Sequence, residues 1–242
     1  AATDVVYEDD NPLTPFWGQS QYLRKDVKTL TFQSSLKNAP SSAWDVSEAG
    51  DRSVLAWMDN GDLYVAADGA IAPNSDASWL FQDFVNLKTI DFGDCFVTSN
   101  VTNTSAMFAG CERLTELDLS GFDTSNVKYM YGMFSRCTSL TSLDFASFDT
   151  SNVMNMHSMF QDCSSLTGLD LSGFDTSSVT SMYIMFSGCE SLTHLNLTSF
   201  DTSKVTNMNF MFSGCSRLTS LDLSNFDTSN VTTMIWMFGR CY

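Results

Sequence analysis

The chain has 242 residues, of which 43% are hydrophobic and only 17% charged; Lys and Arg total 12 against 28 Asp and Glu, a formal net charge of −16. Such a surface repels nucleic-acid phosphates and anionic membranes and favours cations and basic proteins. No apolar run approaches the roughly 18 to 20 residues of a membrane span, so no membrane insertion is expected.

In chain order, residues 1–20, with Asp9-Asp10-Asn11-Pro12, read as an extended lead-in. Ala1-Ala2-Thr3 is compatible with the end left by signal-peptide cleavage behind small residues. Thr29–Gln33 reads as a strand. Val54–Met58 and Leu63–Ala67 flank Asn60-Gly61, the strongest short hairpin signal. Leu80–Leu87 aligns with Met133–Leu140 further on, so residues 62–86 read as a degenerate repeat and residues 1–86 as a β-rich cap region.

Residues 87–242 read as six repeats of 26 residues. Cysteines fall at 111, 137, 163, 189, 215 and 241, each 26 residues from the next, and every other landmark keeps that step. Copies begin at Leu87, Leu114, Leu140, Leu166, Leu192 and Leu218; the first carries one extra residue near Cys95, and the last stops one residue short of a unit, so a natural chain that continues is expected. In each unit Leu114, Leu117 and Leu119 have the i, i+3, i+5 spacing of a leucine-rich-repeat strand. Val127, Met130, Met133, Phe134 and Cys137 then follow the spacing of one helix face, with Asp123-Thr124-Ser125 as a plausible N-cap. The expected fold is α/β, a leucine-rich-repeat solenoid of strand–helix units, with Phe122, Phe148, Phe174, Phe200 and Phe226 as a buried spine.

The repeat L-T-x-L-D-L-S-x-F-D-T-S-x-V-x-x-M-x-x-M-F-x-x-C resembles the BspA-like leucine-rich-repeat surface proteins, also described as Mycoplasma-type 26-residue lipoprotein repeats. The likeness covers roughly residues 29–242, with Asn196 departing from the Asp found in the other copies. It implies a secreted or wall-attached bacterial protein that binds a host or microbial protein or glycan. It names no ligand, and oligomeric state is left open.

Chemistry-bearing residues are weighed on the same frame. A 26-residue cysteine spacing does not suit zinc, and parallel side chains in a stack do not face one another for disulfides. Buried free thiols are therefore expected at the six regular positions. Asp118, Asp144, Asp170 and Asp222 should form an outward acidic ladder, its repulsion offset by rotamers, raised pKa values, waters or cations; a solvated face is favoured over a metal site. Asp123, Asp149, Asp175, Asp201 and Asp227 should serve Asx turns. Only His157 and His194 are present, at unrelated repeat positions, so no enzyme, cofactor or metal is expected. On a helix, Gly132, Ser158, Ile184, Phe210 and Trp236 would face outward, making Ile184, Phe210 and Trp236 an apolar stripe and a second candidate ligand surface. A non-binding stalk, or an ice-binding array on Thr115, Thr141, Thr167, Thr193 and Thr219, are the alternative functions.

Overall fold

A computed structural model describes residues 16–242; most of the expected lead-in lies outside the described residues. The first part is a five-stranded sheet in the order β2-β3-β4-β1-β5. Its strands are β1 (Thr29–Gln33), β2 (Trp44–Asp45), β3 (Val54–Asp59), β4 (Asp62–Ala67) and β5 (Thr89–Asp91). The Asn60-Gly61 turn joins β3 to β4 in an antiparallel hairpin with Asp59 opposite Asp62. Both central residues have positive φ, 52° and 99°, the requirement of the tight turn that matches strand twist. On the other side β4 pairs parallel with β1, and β1 parallel with β5.

From β5 onward, successive copies of the repeat lie on one another as coils. Along one edge the L-T-x-L-D-L segments run parallel, with Gly168–Asp170 (β6) opposite His194–Asn196 (β7). Along the opposite edge single parallel bridges link Asp76 to Asn103, Asn103 to Tyr129 and Tyr129 to Asn155.

Between the two edges there is no helix. Among the described residues the only helical pieces are 3-10 turns at Arg24–Asp26 and Leu36–Asn38, so the α/β solenoid of strand–helix units expected from the sequence does not form. Backbone angles supply the reason. Gly132 and Arg136 both have φ of 60°, a left-handed conformation that interrupts a right-handed helix. Met133 N–H closes a turn on Met130 C=O (3.3 Å), Ser135 N–H on Gly132 C=O (2.9 Å) and Cys137 N–H on Phe134 C=O (3.1 Å). The alternate amides leave the coil: Met130, Gly132, Phe134 and Arg136 donate to Asn155, His157, Met159 and Gln161 of the next copy at 2.7 to 3.1 Å. A helix would spend all these donors internally; linked turns spend half of them on the neighbour. The apolar residues sit at the corners of these turns, and corner spacing reproduces the spacing of a helix face.

The corners fill one continuous core running from Phe16 to Met237. Phe108, Phe134, Phe160, Phe186 and Phe212 stack with near-parallel rings, centroids 5.6 to 5.8 Å apart. The expected spine is also inside: Phe122, Phe148, Phe174 and Phe200 are buried, and Phe226 in the last coil packs half-buried against the core.

A ladder of buried threonines staples the coils together. Thr150 Oγ1 donates to the Asp175 carbonyl at 3.0 Å and accepts from the Asp175 N–H at 2.8 Å. Thr98, Thr124 and Thr176 repeat both bonds one copy away. One hydroxyl thus satisfies a buried donor and acceptor together, where the sequence suggests a helix cap. Thr150→Val keeps the shape and strands both partners, so a loss of about 2 kcal/mol is expected in denaturant unfolding; Thr150→Ser should recover part of it. An unchanged midpoint for the valine variant would contradict the staple.

Candidate binding groove

The acidic ladder lies along the L-T-x-L-D-L edge, with Asp118, Asp144, Asp170 and Asp222 all exposed and Asn196 partly so. Each side chain is anchored from its own backbone. Oδ1 of Asp118, Asp144 and Asp222 accepts from the N–H two residues on at 2.9 Å, Asp170 at 3.0 Å and Asn196 at 3.2 Å. These donors stabilise the charged form. The hydroxyl and amide of Ser120 lower the Asp118 pKa from its ordinary value, those of Ser172 lower Asp170, and the amide and hydroxyl of Ser224 lower Asp222. At Asp118, Asp170 and Asp222 a raised pKa is therefore not what relieves the repulsion. At the one interrupted position, Asn196 Nδ2 donates to Asp170 Oδ1 at 2.9 Å, so the departure from the repeat supplies a partner between two copies.

The second ladder behaves as its sequence suggests in part. Asp123, Asp149, Asp175, Asp201 and Asp227 accept from the N–H two residues on at 2.8 to 3.0 Å; what they open is a turn and not a helix.

Three clefts adjoin along the acidic edge. The largest, about 630 Å³, is lined by Asp91, Asp94, Asp118 and Asp123 over Phe92, Phe96 and Phe122. The next, about 350 Å³, shares Ile90 and Asp118 with it and adds Glu116, Leu117 and Asp144. The third, about 390 Å³, shares Leu143 and Asp144 with the second and reaches Asp170 and Phe174. Together they form a groove with an acidic rim and an apolar floor, crossing from the first coil to the fourth. The sequence shows the ladder; it does not show the groove, because which side chains wall a cleft depends on how neighbouring coils pack, and Gly93 and Asp94 of the longer loop line only the first of the three.

The proposed apolar stripe is placed differently from its helical projection. Gly132, Ser158, Ile184, Phe210 and Trp236 all occupy the left-handed turn position, with φ between 48° and 60°. Their amides are turned to the neighbouring coil where one follows, as in Phe210 N–H to Ile235 C=O at 2.9 Å. Gly132 and Ser158 are buried, Ile184 and Phe210 half-buried, and Trp236 is 60% exposed in the last coil. The structure does not bring these residues to the acidic groove. A half-buried feature that the sequence missed lies on the same turn edge: Tyr131 stacks on His157 at 4.9 Å with rings 3° from parallel. Burial lowers the His157 pKa. His194 is exposed beside Thr193, whose Oγ1 lies 2.8 Å from its Nδ1.

All seven cysteines are free. Each regular one lies against the previous copy, Cys137, Cys163 and Cys189 giving Sγ to carbonyl distances of 3.1 Å to Phe108, Phe134 and Phe160. Burial pushes the Cys137, Cys163 and Cys189 thiols well up, and Cys215 to about 12. Since the thiolate is the reactive form, Cys137, Cys163 and Cys189 should stay unmodified by iodoacetamide in the folded protein and react fully in denaturant. Cys241, half-buried in the last coil, departs from the uniform burial expected and should react first. Intact-mass loss of hydrogen pairs from disulfides would contradict this packing. No helix of the described residues is long and apolar enough to cross a membrane. No three His, Cys, Asp or Glu side chains among them come together as metal ligands.

No curated protein and no solved structure matches the chain. Residues 75–194 and 167–242 match the model of a family described as Mycoplasma protein of unknown function, DUF285. The two stretches together span most of the chain, including every coil of the groove, and the chain belongs to that family.

Proposed function

We propose that the protein is a recognition module of a secreted or cell-surface bacterial protein, attaching to a host or microbial partner through the groove. The observation that carries this reading is the groove itself: adjoining clefts that put apolar floor and pre-oriented carboxylates side by side over several coils. Contiguous concavities of mixed character are where surfaces meet ligands. Carboxylates already held by their own turns lose little freedom on binding. The likeness of the repeat to BspA-like surface proteins supports the extracellular setting, and the reading assigns no reaction and no cofactor. Ile184, Phe210 and Trp236 play no part in it.

The test is a panel of host-matrix proteins, bacterial surface proteins and glycans, presented to the native chain and to Asp118→Asn with Asp144→Asn. Capture of a partner by the native chain and loss of about tenfold or more in affinity for the variant is expected, since each charge-assisted contact contributes about 1.5 to 3 kcal/mol. Equal binding by the variant would move the interface off the groove. No capture from the panel would favour a stalk that only displays another domain.

A further inference from the structure

The last coil leaves half of an interface open. At the junction before it, Met208, Phe210, Phe212 and Gly214 donate their amides to the carbonyls of Thr233, Ile235, Met237 and Gly239 at 2.7 to 3.0 Å. The matching amides of the last coil, on Met234, Trp236, Phe238 and Arg240, have no partner among the described residues. Thr228 is left in the same way. Thr124, Thr150, Thr176 and Thr202 are buried and staple the coil that follows, as Thr202 Oγ1 does by donating to the Asp227 carbonyl at 2.9 Å. Thr228 is exposed, and its hydroxyl has no described partner. The apolar corners are open too. Met208 and Phe212 are fully buried, whereas Met234 is 47% and Phe238 51% exposed. Phe238 stacks on Phe212 at 5.5 Å, with no described ring on its other side.

Hydrogen-bond polarity decides what fits this face. The carbonyls of Thr233, Ile235 and Met237 are already taken by the coil before, and those of Met234 and Trp236 close turns on the amides of Met237 and Gly239. The turn edge thus offers a row of donors, with every carbonyl from residue 233 to 237 in use. A second copy meeting it face to face would set donors against donors, and polar groups left unpaired in a dry junction are costly. The side that each coil turns to its predecessor has the opposite character: carbonyls in a row, with Met and Phe at the corners. We infer that the end of the last coil is a docking surface for one further coil of the same 26-residue repeat, joined at Tyr242 and seated on its carbonyl side. Such a coil satisfies the four amides, the Thr228 hydroxyl and the open corners together, because each junction of a stack repeats the one before it. The surface lies apart from the groove, which crosses the first to fourth coils, and the recognition reading does not depend on it.

The test compares the 242-residue chain with two extended chains. The first carries a copy of residues 217–242 directly after Tyr242, which keeps the 26-residue step. The second carries the same copy with Met237→Ser and Phe238→Ser in the copied segment alone, so that its length is kept and its corners cannot pack. Amide hydrogen exchange is read residue by residue. Exchange at the original Met234, Trp236, Phe238 and Arg240 should slow about tenfold or more in the first extended chain. In the second it should stay close to that of the unextended chain. Unchanged exchange in the first, or equal protection in both, overturns the inference. So does sedimentation of the unextended chain as a dimer with the four amides already protected, since a second copy would then cover the face.

Discussion

Phe186→Ala is expected to cost about 3 to 5 kcal/mol of stability. The ring is fully buried and stacks on Phe160 and Phe212, both at 5.6 Å. Its removal leaves a void between two coils that are tied through their backbones, as in Phe186 N–H to Met211 C=O at 2.9 Å, so the site cannot collapse cheaply. Because each coil draws its stability from its neighbours, hydrogen exchange should rise in the coils before and after, at Phe160 and Phe212, and much less in the β3–β4 hairpin. A loss confined to the coil of Phe186 would mean that the coils fold independently.

Gly188→Ala should be nearly as damaging, for a different reason. Gly188 has φ of 76°, and a Cβ there would overlap Asp162 Oδ1 and approach Asp162 Cα to 3.2 Å. The left-handed backbone alone costs an alanine about 1 to 3 kcal/mol, and the overlap adds to it. The pairing of an Asp in one coil with a Gly in the next recurs at Asp83 and Gly110, where an added Cβ would overlap Asp83 Oδ1. The second variant, Gly188→Ala with Asp162→Gly, removes the overlap with the carboxylate and leaves the backbone strain and the close approach to the Cα of residue 162. Denaturant midpoints should therefore show a partial recovery, a non-additive pair as neighbours in contact give. A double variant no better than Gly188→Ala would show that the clash is not real.

Much of this architecture could be read from the residues, and the failures have a common cause. The 26-residue step correctly marks which side chains are buried, because a stack repeats its environments whatever the local backbone. Asn60-Gly61 correctly marks a hairpin, because its two positive φ angles need those residue types. The apolar spacing predicts a helix that does not form, because such spacing reports only where side chains gather. Val127, Met130, Met133, Phe134 and Cys137 satisfy a helix face and the corners of linked turns equally. A discriminating signal lay just before the cysteines, where Gly110, Gly188 and Gly214 take φ of 73° to 79°; repeated glycines there speak against an unbroken helix. At the other left-handed position Ile184, Phe210 and Trp236 give no such warning; the helical projection does not apply to them, and they stand at one repeated turn position with Ile184 and Phe210 half-buried and Trp236 exposed. The acidic ladder was visible because alternation in an extended segment survives the loss of formal strand pairing. The groove was not, because its walls are set by how neighbouring coils pack against one another.

Everything proposed for the surface depends on coils being joined by backbone hydrogen bonds that cross from copy to copy, since these bonds hold the carboxylates and clefts in line. Through-hydrogen-bond scalar couplings in isotopically labelled protein read those bonds directly. The structure predicts a coupling from the amide nitrogen of Phe160 to the carbonyl carbon of Met185, its partner at 2.9 Å in the next coil. A coupling from Phe160 to Met156, the carbonyl four residues earlier that a helix would use, would contradict it.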